Sequence, residues 1–371
     1  MTNPDAPRIR LGTAGDVVQI VPYLIGFQPE ESLVIMVLNQ GTLAVTARAN
    51  LADVQSNRNL DQLISRIWAR FPGADAIMLA YTGDHSIGWD TLHRADSRLP
   101  RSAHSQQLLV DGNTWHQPDG TTGTLDPDSP VATQAARAGL NTHSRRSDLA
   151  PRFASAEDSD ELLQKVTRVA GRLPDPSDDR RLINAFSDLL VANLPNPTVN
   201  RPSQSMSSDD AIALALLSQN PAVREVALLS MTRDTAAQHL QLWGDVINHT
   251  PSYGSEQPLH LAGLAAWLTG EGALASMAME RAKATALPGH PRRTELVGDL
   301  LGQLIDHVVP PSTWDKLRPQ GLALASGIVR AGVEKVTGRE TLETWETVNA
   351  PTHTTRHAPR NPTPPRPGIP L

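Results

Sequence analysis

The hydrophobic pattern of the 371-residue chain changes once, and this change limits the fold more than any other feature of the sequence. Before residue 117 the apolar runs are short and either alternating or β-branched, which is typical of strands. After Pro151 apolar residues recur at three- and four-residue intervals, which is typical of amphipathic helices. We therefore predict an α+β or α/β fold, in which an N-terminal mixed-sheet α/β domain (1–150) precedes an all-helical domain (151–340).

The individual elements are predicted from the same patterns. Two apolar runs around Asn39-Gln-Gly41 indicate a β-hairpin, because the connection is short and contains glycine. The predicted strands are 32–38, 42–48, 76–81, 106–110 and 114–116, and the predicted helices of the same domain are 58–71 and 86–98. Prolines and glycines separate the predicted helices of the second domain, which are 156–172, 178–193, 207–218, 221–231, 233–248, 256–269, 271–286, 293–308 and 319–337.

Two segments have the composition of unstructured chain. Residues 195–206 are rich in proline, serine and asparagine and lie between predicted helices, so we predict a flexible linker. Residues 341–371 are predicted to be a disordered, Pro-rich basic tail, because 351–371 hold seven prolines, three arginines and no acidic residue. The tail is either a solvated extension or a docking segment for an SH3-like or acidic partner.

The composition excludes several classes of protein. The absence of cysteine excludes a disulfide scaffold, a cysteine nucleophile, a thiolate zinc site and an iron–sulfur cluster. The formal net charge of −6 gives no indication of a nucleic-acid-binding surface. No secretory signal is evident near the N-terminus, and the apolar runs are too short to span a bilayer, so we expect a cytoplasmic protein.

The most informative motif is Ile-Val-Pro-Tyr-Leu-Ile-Gly-Phe-Gln-Pro-Glu-Glu-Ser-Leu-Val at residues 20–34, which joins a predicted helix to a predicted strand. Pro22 should end or kink the helix, and Gly26 should provide a positive φ for the turn. Tyr23 and Phe27 are expected to pack beneath that turn. We favour a shaped structural turn, because proline, glycine and phenylalanine are what such a turn requires.

A functional interpretation of the same motif remains open. Glu30, Glu31 and Ser32 would project at the edge of the sheet, which could place a carboxylate and a hydroxyl at the mouth of a pocket. In the structural interpretation, Ser32 or a glutamate serves only as a cap.

The motif resembles the opening signature of an actinobacterial family of domains of unknown function, number 4192 in its series. The matching residues are Pro22, Tyr23, Gly26, Phe27, Pro29, Ser32 and Leu33. A second match covers residues 264–282, where an Ala-Trp run, a Gly-Glu-Gly turn and an Ala-x-x-x-Arg-Ala helix occur in the family's order. A third and weaker match comprises Gly123-Thr124, Ala138-Gly-Leu140 and a Ser-Arg near 144–146. The resemblance covers roughly residues 8–315, and the ratio of 29 arginines to 4 lysines fits a GC-rich actinobacterial or actinophage genome.

The resemblance implies candidate binding residues but no activity. These residues are the signature positions together with one downstream arginine: Tyr23, Gly26, Phe27, Pro29, Glu31, Ser32 and Arg146. Many members of the family carry cysteines in the segment that corresponds to residues 115–123, and this chain has none there. If those cysteines bind a metal in relatives, that role is either lost here or not general in the family.

Other motifs give little support for a cofactor or a metal. Asp84, His85, Asp90 and His93 are close in sequence, with His104 and His116 further on, but their spacing matches no established zinc motif. A phosphate-binding loop and a nucleophile elbow are absent from the sequence. Gly12-Thr-Ala-Gly15 is a weak anion-binding signal, and Thr13 is better interpreted as a helix N-cap. We predict no cofactor and no metal.

Residues 256–286 resemble a single tetratricopeptide-like hairpin, which we interpret as a packed helix pair, with a peptide groove as the alternative. Four tryptophans are expected to anchor the core or its edge: Trp243, Trp267, Trp314 and Trp345.

No catalytic residue is assigned, because no nucleophile, base and orienting group can be assembled from nearby motifs. The leading prediction is a non-enzymatic binding or regulatory module for a protein or small ligand, with a protein partner bound by the helical domain or the tail. The alternative is a hydrolase or transferase built around Glu31 and Ser32, with His93 or Arg146.

Overall fold

The computed structural model describes residues 11–126, 129–137, 142, 146–194, 206–285 and 296–338. Its N-terminal part contains a six-stranded sheet in the order β2-β1-β3-β4-β5-β6, in which only β3 and β4 are parallel neighbours. The strands are β1 (Ser32–Asn39), β2 (Thr42–Asn50), β3 (Asp75–Tyr81), β4 (Ser105–Asp111), β5 (Thr114–His116) and β6 (Thr122–Thr124).

The predicted strands are confirmed, and β6 is an addition to them. The β1–β2 hairpin turns at Gln40 and Gly41, which both have positive φ angles. β6 has only three residues, and its central residue, Gly123, lies against the indole of Trp115. A Cβ atom at Gly123 would come within 2.4 Å of that ring, so the strand depends on a close tertiary contact that periodicity does not reveal.

Helices cover both faces of the sheet. The N-terminal helices are α1 (Ala14–Ile25), α2 (Leu51–Val54), α3 (Asn57–Arg70), α4 (His85–Asp96) and α5 (Pro130–Arg137). Leu33, Ile35 and Val37 of β1 share a buried cluster with residues of α2, α3 and α4. Val34 and Met36 point to the other face and join a cluster that contains α1 and the C-terminal helices. The alternation along β1 therefore places one core on each side of the sheet.

The second part of the chain is helical, with 3₁₀ turns but no regular strands among its described residues. After a 3₁₀ segment at Arg146–Phe153, the helices are α6 (Asp160–Ala170), α7 (Asp179–Asn193), α8 (Ser208–Leu217), α9 (Pro221–Ser230), α10 (Ala236–Asn248), α11 (Glu256–Thr269), α12 (Gly272–Thr285), α13 (Leu296–Asp306), α14 (Trp314–Leu324) and α15 (Gly327–Thr337). Helix α11 is buried at every position from Gln257 to Leu268 and forms the centre of this part. The mixed sheet followed by helices confirms the predicted fold class.

The single helix predicted at 319–337 is wrong. The chain forms two helices there, α14 and α15, and the backbone is extended at Ala325 and Ser326 between them. The Ser326 side chain accepts a hydrogen bond from the Val329 amide and so begins α15 with an N-cap. The break lets α15 pack closely on α7 and α9 through Gly332, where a Cβ atom would lie 2.6 Å from Ile183.

Some predictions fall outside the described residues. These are the tail at 341–371, most of the linker at 195–206, the Ala138-Gly-Leu140 match and Trp345. The division into domains at residue 150 stays a prediction. Within the described part of the chain, no single helix combines the length and apolar character that crossing a bilayer requires. Helices α8 and α9 meet those limits only when taken together, and they are bent by 110° relative to each other.

Candidate functional site

A cavity of about 610 Å³ lies between the outer edge of the sheet and the C-terminal helices. One wall consists of seven consecutive residues of β2, 44–50. The opposite wall includes Gly272, Ala273 and Ser276 of α12 and residues 308–311 after α13. A cavity of this size can hold a small ligand or a short segment of chain.

β2 ends the sheet, and because consecutive residues from both of its faces line the cavity, its outer edge borders that space. Its pairing partner is β1 alone, and the described backbone hydrogen bonds include none that joins β2 to another segment. Residues 43–49 are all partly exposed, which shows that the helices approach the strand without covering it.

Arg48 projects from β2 beside the cavity and is held from two sides. Its Nε donates a hydrogen bond to the Oγ of Ser32 at 2.9 Å, and its guanidinium carbon lies 5.7 Å from the centre of the Phe27 ring. Ser32 in turn donates to the carbonyl oxygen of Glu30 at 2.6 Å. The hydrogen bond from Nε and the contact with the Phe27 ring together fix the position of the guanidinium. For its two terminal nitrogens, the described residues provide neither an ion-pair partner nor a hydrogen-bond acceptor.

The electrostatic environment of Arg48 is consistent with an anion site. Burial lowers the pKa of Arg48, and the positive charge of Arg146 lowers it further, while Asp53 and Glu280 oppose the shift. Both effects disfavour the charged form, but an arginine starts from so high a pKa that it stays protonated. The side chain is therefore a partly desolvated cation, which an incoming anion would stabilise.

Two ion pairs join the walls of the cavity. Arg146, at the start of the 3₁₀ segment, donates from Nη2 to Oε1 of Glu280 on α12 at 2.9 Å. Nη1 of Arg66 on α3 lies 3.8 Å from Oδ1 of Asp306 at the end of α13. All four side chains are at least one third exposed, so each pair contributes little stability and can exchange partners.

The signature turn at residues 20–34 positions Arg48. Gly26 ends α1 with a φ of 85°, as predicted, and Phe27 is buried beneath Arg48. Pro29 is buried, and Tyr23 packs partly buried against the core. Pro22 does not end the helix, since α1 continues to Ile25.

Glu31 and Ser32 do not line the cavity themselves. Glu31 adopts a φ of 43°, and its carboxylate accepts a hydrogen bond from the Thr82 hydroxyl at 2.9 Å, which ties the start of β1 to the end of β3. Ser32 is fully buried behind Arg48. The structure shows no contact in its described part between either residue and His93 or Arg146. The motif therefore supports the neighbouring arginine.

Sequence reasoning found Arg146 but missed Arg48. The hairpin register places Arg48 opposite Val34, two residues from Ser32, on the same face of the sheet. A register drawn from the predicted hairpin would have placed Arg48 near Ser32, but the opposite wall of the cavity depends on how the helices pack.

The sequence cluster of histidines and aspartates separates in the structure. Asp84 caps α4 by accepting hydrogen bonds from the amides of Ser86 and Ile87. His85 contacts Asp111 at 3.3 Å, and its ring centre lies 4.9 Å from that of His116. Among the described residues, no group of three His, Asp or Glu side chains is arranged to hold a metal ion.

The helix pair at 256–286 forms the packed hairpin that the sequence predicted. Gly263 of α11 faces Ala278 of α12, and a Cβ atom added at Gly263 would lie 3.2 Å from the Ala278 side chain. Trp243, Trp267 and Trp314 are buried, as predicted. Because α11 is buried from Gln257 to Leu268, the accessible residues of the pair lie mainly on α12, and four of them, Gly272, Ala273, Ser276 and Glu280, line the cavity.

Comparison with family models places most of the chain in one family. The model described as Domain of unknown function (DUF4192) matches residues 15–312. This range includes the signature turn, β2, Arg146 and α12. Comparisons with curated proteins and with solved structures gave no match.

Proposed function

The chain belongs to the DUF4192 family, and we propose that it is a non-enzymatic binding module whose ligand carries an anionic group bound by Arg48. The observation that carries the proposal is the state of Arg48. This guanidinium is held by Ser32 and Phe27 at the wall of a 610 Å³ cavity, and its two terminal nitrogens have no acceptor among the described residues.

The partly buried guanidinium of Arg48 has no direct ion pair within the described residues, so its desolvation is only partly offset by the more distant charges of Asp53 and Glu280. The two terminal nitrogens of an arginine form a planar fork that matches the two oxygens of a carboxylate or phosphate. Because Ser32 and Phe27 already restrict the side chain, little conformational entropy would be lost on binding. These features support an anion-binding role for Arg48.

The other charges of the cavity favour a ligand with few negative charges. Arg146 and Arg66 add positive charge, but Asp53, Glu280 and Asp306 lie in the same lining. A polyanion such as a nucleic-acid backbone would meet these carboxylates, and the whole chain is acidic as well. The proposed ligand is therefore an organic acid or another group of low charge.

The hydrogen bonds of the signature residues give less support to a hydrolase or transferase. A serine nucleophile needs an accessible hydroxyl and a base, whereas Ser32 is fully buried and its hydroxyl already binds Glu30 and Arg48. The carboxylate of Glu31 is engaged by Thr82. Recruitment of a protein partner through the helical domain or the tail, like the cytoplasmic location, stays a prediction.

The proposal is tested with the full chain and a panel of small carboxylates and phosphates, each assayed by thermal unfolding and then by calorimetry. We expect at least one compound to raise the Tm of the wild type and of Arg101→Gln, an exposed control, but not of Arg48→Gln. Equal stabilisation of Arg48→Gln would show that the ligand binds elsewhere. Mass spectrometry of material that co-purifies with the wild type would identify a natural ligand.

A further inference from the structure

We propose that the ligand is an extended peptide that adds a strand to the outer edge of β2, with one acidic side chain beside Arg48 and small apolar side chains facing the other way. This inference rests on the proposed function and specifies its ligand class. The evidence is the free edge of the strand, the shape of the cavity and the alternation of side chains along β2.

The free edge provides the main-chain groups that a peptide needs. A strand that ends a sheet presents a row of N–H and C=O groups, and proteins usually cover such edges or protect them with charge. The described part of the chain contains no backbone partner for the outer edge of β2. An added peptide strand would pair these groups, as in other cases of β-strand addition.

The cavity follows the strand over a length suited to a peptide. Seven consecutive residues of β2, 44–50, line it, and a strand of that length spans roughly 23 Å. The facing wall on α12 begins with three small residues, Gly272, Ala273 and Ser276, which leave space in front of the strand. A compact small molecule would contact only part of this wall, whereas an extended peptide would follow all of it.

The two faces of β2 differ in chemistry, and this difference predicts the peptide's pattern. Thr46 and Arg48 lie on the face of Val34 and Met36, together with Arg146 in the cavity lining. Val45, Ala47 and Ala49 lie on the opposite face, which is packed against the second buried cluster near Leu63. Neighbouring strands place side chains opposite each other on the same face. A bound strand should therefore place one acidic residue beside Arg48 and small apolar residues at the positions that continue the face of Val45, Ala47 and Ala49.

The ion pairs at the walls fit this arrangement. Arg66–Asp306 joins α3 to α13, and Arg146–Glu280 joins the 3₁₀ segment to α12. Both pairs line the cavity and are exposed enough to exchange partners. Arg146 lines the same cavity as Arg48, so its positive charge adds to the attraction of an acidic residue bound there.

The test uses the full chain and pools of acetylated, amidated seven-residue peptides. In one pool the central position is glutamate and the other six positions are mixtures of alanine, valine, leucine and threonine, and in the matched pool lysine replaces glutamate. Peptides retained by the chain are identified by mass spectrometry, resynthesised and measured by calorimetry. We expect binding from the glutamate pool alone. We also expect Arg48→Gln to weaken it by about tenfold or more, the loss typical of a charge-assisted hydrogen bond, and Arg101→Gln to leave it unchanged.

Two further measurements test strand addition itself. N-methylation of alternate peptide amides removes hydrogen-bond donors on one edge of the peptide, so the form methylated on the edge that faces β2 should lose binding. Hydrogen exchange should show new protection of residues 42–50 on binding. Unchanged affinity of both N-methylated forms, or protection outside β2 only, would overturn the inference.

The outcomes separate this inference from the proposed function. If small carboxylates bind through Arg48 but neither peptide pool is retained, the inference of a peptide ligand is wrong and the proposed anion site is supported. If neither small anions nor peptides bind, both proposals are wrong. Retention of the lysine pool alone would contradict the role of Arg48 in both.

Discussion

Arg48 beside β2 and Arg318 inside the helical part are both arginines whose pKa is lowered by burial, yet their surroundings differ. Arg318 donates from Nε to the carbonyl oxygen of Leu229 at 2.7 Å, in the last turn of α9, and Trp314 donates to the carbonyl of Met231 just beyond it. A cation at this position completes the end of a helix. Arg48 completes no helix end and faces a cavity.

The comparison shows that burial alone does not identify a functional arginine. Burial is the main cause of the lowered pKa in both side chains, and neither forms a direct ion pair within the described ranges. What distinguishes them is the space next to the guanidinium: packed helix around Arg318 and an open cavity beside Arg48. The helical interior should therefore control stability, and the cavity should control binding.

The largest expected effect is on the pH dependence of the free energy of unfolding, and it comes from a histidine buried in the helical part. Burial lowers the pKa of His239 on α10 to about 4, from an ordinary value of 6.5. Between these values the unfolded chain binds a proton that the folded chain does not, so this histidine's contribution to stability decreases as the pH falls from 6.5 to 4. The difference between the two pKa values corresponds to about 3 kcal/mol of folding free energy. The free energy of unfolding, measured with urea at pH 7 and pH 4.5, should change less between the two pH values for His239→Gln than for the wild type. An equal change in both proteins would contradict the lowered pKa of His239.

The next effect distinguishes the two arginines directly. Arg318→Gln should lower the free energy of unfolding by about 2 kcal/mol, because a buried carbonyl at the end of α9 loses its donor and the packing around the side chain is lost. Arg48→Gln should change it by less than about 1 kcal/mol, since Arg48 is partly exposed and its removal breaks no direct ion pair. Urea unfolding of both variants provides the measurement. A larger destabilisation by Arg48→Gln would mean that Arg48 is a structural residue.

Ser32→Ala tests how Arg48 is positioned. The substitution removes the acceptor for Nε and should destabilise the fold by about 1 kcal/mol, the contribution of a typical buried hydrogen bond. It should also weaken ligand binding several-fold, because the guanidinium would no longer be fixed. Ser32→Thr keeps the hydroxyl and serves as the matched control. Calorimetry with the ligand found above would contradict the account if Ser32→Ala bound as tightly as the wild type.

The smallest effect is expected at the wall of the cavity. Arg146→Gln breaks a partly exposed ion pair with Glu280, so the free energy of unfolding should change by no more than about 0.5 kcal/mol. Binding should weaken by a few-fold at low salt and less at high salt, because the contribution is electrostatic. A salt-independent loss of binding would contradict this role.

The sequence predicted the framework of the fold better than its contacts. The β-branched run at 32–38 and the glycine turn after it specify β1 and the hairpin, because both signals are local. β6 was missed because it depends on Trp115 packing against Gly123, and the break in the last predicted helix was missed because it serves the close packing of Gly332 against α7 and α9. Close tertiary contacts of this kind leave no periodic signal.

Only part of the candidate site could be predicted, because the rest depends on tertiary contacts that leave no local signal in the sequence. The signature turn was recognised from its own residues, and Arg146 from the family resemblance. Arg48 is one of 29 arginines, and its role appears only when the hairpin register, the Phe27 ring and α12 are combined. The pairing of Arg146 with Glu280 spans 134 residues of sequence, and no local pattern predicts it.

The most direct test of the central claim is the ligand-induced increase in Tm of the wild type compared with Arg48→Gln and Arg318→Gln, measured with the same small carboxylate. The account predicts that Arg318→Gln unfolds at a lower temperature than the wild type but is stabilised by the ligand as much. It predicts that Arg48→Gln keeps its basal Tm and gains nothing from the ligand. Equal ligand-induced stabilisation of Arg48→Gln and the wild type would contradict the assignment of the cavity beside β2 as the binding site.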